Sequence, residues 1–283
     1  FWNTVSSRKK SKKWDYFNKK LFRLFMLRKR LIFTLLYEDG FFIQSRNFRR
    51  QKIGKKEWIN KNYNFSYISN FIDELVILDI SKKKNIKTFL QNCKYVSDKV
   101  FVPMSFGGGV SSLQYAKLYF ENGADKIIIN SQAFIDKKII NKISDNYGSS
   151  SVIISIDVRY EKKEHYVYIQ NGQLNTNIVI EEYLKLISDI NFAEIYLNSI
   201  DNDGTGTGVD KKLLTKVKNF DYKFIITGGL GNFNHFFYTF KNNKKIEAIA
   251  TANLLNFVGD SLKIVRQKLI KKKIDLSIRE LKL

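Results

Sequence analysis

From residue 26 onward, short runs of apolar and β-branched residues alternate with amphipathic stretches. The runs at 31–36, 74–80, 100–105, 126–130, 152–158, 194–199, 223–227 and 248–252 read as strands, being short and rich in Ile and Val. Between them, 113–122, 137–147, 180–190, 211–217 and 234–242 carry helical periodicity. Eight such units predict an α/β fold, a (βα)8 TIM barrel. A doubly wound open sheet is the alternative, but its glycine pattern after the first strand is missing.

The second half of the chain repeats the first. Glu74 and Glu194 open runs 120 residues apart, and Asp79 and Asp201 follow at a spacing of 122. Gly107-Gly108 and Gly228-Gly229 lie 121 residues apart, and Asn130 and Asn253 lie 123 apart. A nearly constant offset at strand ends predicts two similar half-barrels of four units each.

Residues 1–25 read differently, with eight basic residues and one acid. A basic amphipathic arm and an extension preceding a natural start at Met26 are the two readings; the second is preferred. The expected organisation is therefore an N-terminal extension over 1–25 and one barrel domain over 26–283.

Composition changes this picture little. Of 283 residues 44% are hydrophobic, enough for a full core. The formal net charge of +22 is spread along the chain with abundant Lys, Asn and Ile, so no nucleic-acid surface is expected. A single cysteine, Cys93, excludes an internal disulfide or a Cys-cluster metal site and points to the cytoplasm. Charged residues interrupt the best apolar run, so no membrane span is expected. His165 reads as part of a hairpin over the barrel mouth and His235 as a helix-start residue; neither predicts a metal or cofactor.

In such a barrel the chemistry lies at the C-terminal strand ends. Gly107–Gly109 and Gly228-Gly229 are turns whose bared amides suit phosphate, so a ligand phosphorylated at both ends would span them. Asp157, ending an apolar run, is the catalytic candidate for acid–base work; a loop-positioning acid is the alternative. Asp201 and Asp203 fit ligand binding or loop ordering equally well.

The residues 29–32, 73–80, 107–109, 123–131, 155–157 and 199–205 together resemble the cyclase subunit of imidazole glycerol phosphate synthase, a lyase family. The resemblance runs from about residue 26 to the C-terminus. It implies a glutaminase docked on the N-terminal face of the barrel, and ammonia passing through the barrel to the opposite mouth. Arg30, Glu74, Lys126 and Glu194 match the family's ammonia gate, and Asp125 matches an acid that contacts the glutaminase. Phosphate positions carry over at Gly108, Gly109, Asn130, Ser131, Asp203, Gly204, Gly228, Gly229 and Ala252, with Asn253 replacing a Ser.

Two departures bear on the substrate. The family uses two aspartates; Asp157 matches the second, but Leu36 replaces the first. Gln44 stands where the family has a Lys on its first loop. The Leu35-Leu36 pattern resembles a divergent branch, the acetamidino-sugar modification proteins of surface-polysaccharide gene clusters. That resemblance implies an ammonia conduit serving a third, ATP-using sugar amidotransferase, with a phosphorylated or nucleotide-sugar ligand. The alternative is the histidine-pathway cyclase itself.

Overall fold

The computed structural model describes residues 28–252 and 261–277; the expectations for 1–25, Met26 and Asn253 fall outside them. Strand β1 (Arg30–Glu38) is extended by an antiparallel hairpin, β2 (Phe41–Arg46) and β3 (Arg49–Gly54). Strands β4 (Glu74–Asp79), β5 (Met104–Gly107), β6 (Lys126–Ile129) and β7 (Val152–Glu161) follow. A second hairpin, β8 (Glu164–Ile169) and β9 (Leu174–Val179), extends β7, before β10 (Glu194–Ser199), β11 (Phe224–Thr227) and β12 (Ile246–Thr251).

Eight of these strands pair in parallel in the order β10-β11-β12-β1-β4-β5-β6-β7, and the β7–β10 pairing closes the ring. The chain is a (βα)8 TIM barrel. Each half begins with a strand carrying a hairpin, β1 in the first and β7 in the second, as expected for two similar halves.

Side-chain alternation makes two cores. Outward residues such as Phe33, Leu75 and Ile154 pack under the helices. Inward ones, Ile32, Val76, Ile128, Ile153, Tyr196, Ile225, Ala248 and Ala250, form a separate cluster inside the barrel. Buried Arg266, on the helix Ser261–Lys271, grips both carboxylate oxygens of Asp73 at 2.9 Å, and Asp73 accepts the Leu31 N–H. This bidentate pair fastens the last helix to the beginning of the ring.

One expected strand is displaced. The 100–105 run begins pairing only at Met104, because Pro103 offers no N–H to a ladder. Val100 and Val102 are buried and Phe101 is 84% exposed, so an irregular connection mimics strand alternation. The 137–147 helix forms as Lys138–Tyr147, preceded by a separate short helix Ser131–Ile135 that was not expected, and the 180–190 helix is shorter, Ile180–Leu186. The hairpin β2–β3 and the helices Lys56–Asn62 and Ile86–Ser97 had no counterpart in the expected elements. Cys93 is a buried residue of the last of these helices.

Candidate functional site

Reading inward positions up the barrel gives three layers. At the floor, Arg30, Glu74, Lys126 and Glu194 are each the first residue of a strand. Arg30 bonds Glu74 at 2.5 Å and also Glu194; Lys126 reaches Glu194 at 3.1 Å and Glu74 at 3.6 Å. Burial works against the Glu194 charge, but Arg30 and Lys126 outweigh it and hold its pKa below the ordinary range. All four expected residues thus form one closed ring. Asp125, beside it, is exposed and accepts the Met104 N–H at 2.7 Å.

Above the ring lies the apolar layer, whose one phenol, Tyr196, shares a 2.9 Å hydrogen bond with Thr34. Above that is a cavity of about 120 Å³ lined by Thr34, Leu36, Phe48, Arg50, Asn130, Ser155, Asp157, Asn198 and Asp203, among others. Asp157 is buried and accepts the Asn130 amide at 2.9 Å and the Asn198 amide at 3.2 Å. Burial pushes its pKa up to about 7, against the lowering effect of those two bonds. A carboxyl poised there can both take and give a proton at neutral pH. Leu36 lines the same cavity, so a hydrocarbon side chain forms part of the wall around Asp157. Glu38, two residues further along β1, is held by Arg50 at 2.5 Å.

Two further cavities adjoin the first. One of about 390 Å³ is bordered by Gly108, Gly109, Asn130 and Ser131 and by Lys82, Lys84, Gln170 and Gln173. Gly108 and Gly109 have φ of +108° and +74°, and a Cβ on Gly108 would stand 2.1 Å from the Asp79 carbonyl oxygen. The other, about 20 Å³, is bordered by Gln44, Asp203, Gly204, Gly228, Gly229 and Ala252. The two expected groups of turn residues are therefore assembled at opposite sides of one mouth. They differ in size by an order of magnitude, which the sequence offsets did not reveal.

Asp203 resolves as a fastening point for the first hairpin. Its carboxylate accepts from Ser45 Oγ (2.5 Å) and Phe48 N–H (3.2 Å), and its carbonyl accepts from Asn47 N–H (2.8 Å). These bonds hold Asn47 and Phe48 at φ of +52° and +61°, the two positive values of a tight two-residue hairpin turn. Phe48 is thereby laid over the cavity. Asp201 orders the second hairpin, accepting the Tyr160 N–H at 2.8 Å.

His165 is fully buried in that second hairpin and pairs through Nε2 with Asp210 at 2.8 Å. It locks the hairpin to the N-cap of the helix Lys211–Val217, because Asp210 also accepts the Leu213 N–H. His235 lies in the first turns of the helix Phe233–Asn242, where its Nδ1 accepts the Gly231 N–H at 3.2 Å. Among the described residues no group of three His, Cys, Asp or Glu could hold a metal, and no helix is long and apolar enough to cross a membrane.

Arg50, Phe48, Asn171, Ser155, Asn198 and Tyr196 line the cavity but were absent from the candidates. A period-2 extension from Glu194 reaches Tyr196 and Asn198, and a step back from Asp157 reaches Ser155. Nothing local marks Phe48, Arg50 or Asn171, which hairpins bring over the mouth.

The model of the histidine biosynthesis protein family matches residues 42–258. A protein of Parasynechococcus marenigrum (strain WH8102), provisionally named imidazole glycerol phosphate synthase subunit hisF2, is 42% identical over 245 residues, 86% of this chain and 91% of its own length. Imidazole glycerol phosphate synthase subunit HisF of Chlorobium phaeobacteroides (strain BS1) is 32% identical over 255 residues, 89% of this chain and 100% of its own. The subunit of that name from Flavobacterium johnsoniae is 32% identical over 208 residues, 73% and 82% of the two chains. All three names are of an imidazole glycerol phosphate synthase subunit, and none mentions sugar amidination.

Proposed function

This chain belongs to the histidine biosynthesis protein family, and from that premise we propose that it is the synthase-type subunit of a glutamine-dependent enzyme. Ammonia released by a glutaminase at the N-terminal face passes the floor ring and meets a phosphorylated ligand at the C-terminal mouth. The observation that carries this reading is the position of the Arg30–Glu74–Lys126–Glu194 ring on the barrel axis below the cavity that holds Asp157, with the apolar layer between them. Asp157, with a pKa of about 7, is the acid–base residue, and Asn130 and Asn198 orient it.

The names of the relatives favour the ring closure that forms imidazole glycerol phosphate as the reaction. Leu36 on the cavity wall favours the second reading, in which ammonia is delivered for amidination of an N-acetyl sugar by a third, ATP-using amidotransferase. Loss of one proton-transfer group typically lowers a rate about 10²–10⁴-fold. The test is an ammonium-driven cyclase assay with the histidine-pathway ribulosyl aminoimidazole-carboxamide nucleotide. Turnover within about tenfold of an ordinary cyclase supports the first reading. No turnover, restored by Leu36→Asp, supports the second.

A further inference from the structure

The 390 Å³ cavity is larger than one phosphoryl group needs. Its volume falls within the ~300–1,000 Å³ of complete ligand sites, so a phosphoryl seated on the Gly108-Gly109 turn leaves most of it open. Around the remaining space stand two cations, Lys82 and Lys84, and the donors Ser131, Gln170 and Gln173, together with the carboxylate of Asp79 and the apolar Val110, Ile128 and Ile129.

Lys84 is built into this wall. A Cβ on Gly109 would meet its stem at 3.0–3.3 Å, so the methylenes lie across the glycine turn. Its ammonium donates to the Asp79 carbonyl at 2.6 Å and stands 3.6 Å from Asp79 Oδ1, which already accepts the Ser81 N–H. That leaves donor capacity on the ammonium toward the cavity. Lys82, exposed on the same loop, has no carboxylate partner among the described residues. At the opposite side the 20 Å³ cavity has Asp203 and no Lys or Arg among its described lining residues, Gln44 occupying its edge. Cationic charge is thus concentrated on one side of the mouth.

We propose that this cavity takes a phosphoanhydride, two linked phosphoryl groups at one end of the ligand, with Lys84 and Lys82 binding the outer phosphoryl. The inference rests on the reading of the Gly108–Ser131 turns as a phosphate site and specifies the ligand class of that site. The inner phosphoryl sits on the amides of the glycine turn. The outer one lies beneath the hairpin tip, where Gln170 and Gln173 supply further donors. The rest of the ligand reaches Asp157 across Asn130, which borders both cavities.

The test is calorimetric titration of the full chain with inorganic pyrophosphate and, separately, inorganic phosphate at low ionic strength. The Lys84→Met and Lys82→Met variants are titrated in parallel, and circular dichroism melting checks that each folds. Pyrophosphate is expected to bind at least roughly tenfold more tightly than phosphate, as added charge-assisted contacts allow, and Lys82→Met, on the exposed edge, is expected to reduce that preference only in part. Lys84→Met, which keeps the stem over Gly109, is expected to abolish that preference while leaving phosphate binding within about twofold. Equal affinities for the two anions, or a preference surviving in folded Lys84→Met, overturn the proposal alone. Failure of both anions to bind overturns the phosphate reading of the turns as well.

Discussion

The Asn130 side-chain amide donates to the buried Asp157 carboxylate at 2.9 Å. It comes from β6's end, one strand away, and Asn198 on β10 matches it from the other side at 3.2 Å. The acid is clamped between its two neighbours in the ring, with both amides compensating in part for lost water.

Replacing this acid tests its role and its ionisation together. Asp157→Asn is expected to lower turnover about 10²–10⁴-fold with either acceptor. It also changes stability with a definite sign. The folded pKa, about 7, lies above the ordinary 3.8, so between these values the native state holds a proton that the unfolded chain releases. That contribution is complete below about pH 4 and is lost as pH rises through about 7. Thermal melts should therefore show Asp157→Asn gaining on the wild type from pH 5 to pH 8.5. A constant difference across that range would exclude a raised pKa.

Leu36→Asp places a second carboxyl on the same cavity wall. Two like charges there disfavour joint ionisation, so the apparent pKa of the pair's last proton should move above 7, read from a pH titration of the carboxyl signals by NMR. A cost of about 1–3 kcal/mol in urea denaturation accompanies it. An unmoved titration would mean that the two side chains do not share the cavity.

At the floor, Arg30→Met leaves Glu74 and Glu194 with Lys126 alone. Removing one partner of a buried ion network costs about 3–5 kcal/mol at neutral pH. Since the Glu194 pKa is depressed in the native ring, its stabilisation is present at neutral pH and is lost as pH falls through the folded pKa. The difference between variant and wild type should shrink toward pH 4. Urea denaturation at pH 7.5 and pH 4 reads it; a loss equal at both would assign Arg30 a packing role only.

Gly172 offers a steric test of the covering loops. Its φ is +72°, and a Cβ there would stand 2.5 Å from the Phe48 ring. Gly172→Ala is expected to cost about 1–3 kcal/mol and to raise hydrogen exchange over residues 46–49. Adding Phe48→Ala should recover part of the stability. No recovery would show that the backbone conformation, not the ring, sets the cost.

The barrel itself was largely legible, because parallel strands buried on both faces read as continuous apolar runs that few other segments imitate. Glu74, Lys126 and Glu194 stand out as charges opening such runs, and Asp157 as a charge near the end of one. The covering hairpins were much less legible. Residues 41–54 mix Phe, Gln, Arg and Lys without clean alternation, since β3 is mostly solvated while the consecutive Phe42 and Ile43 of β2 are both buried. The positive φ of Asn47 and Phe48 depends on Asp203, more than 150 residues away, so no local signal announces the turn. Residues 100–105 show the converse error, in which local alternation promised a strand that Pro103 delays.

Phe48 lies in the notch left by the missing side chain of Gly172, so a hairpin from the first half of the barrel interlocks with one from the second. The two covers are therefore in direct contact through that ring. They thus share one joint, in which an aromatic side chain from one hairpin fills the space beside the glycine of the other.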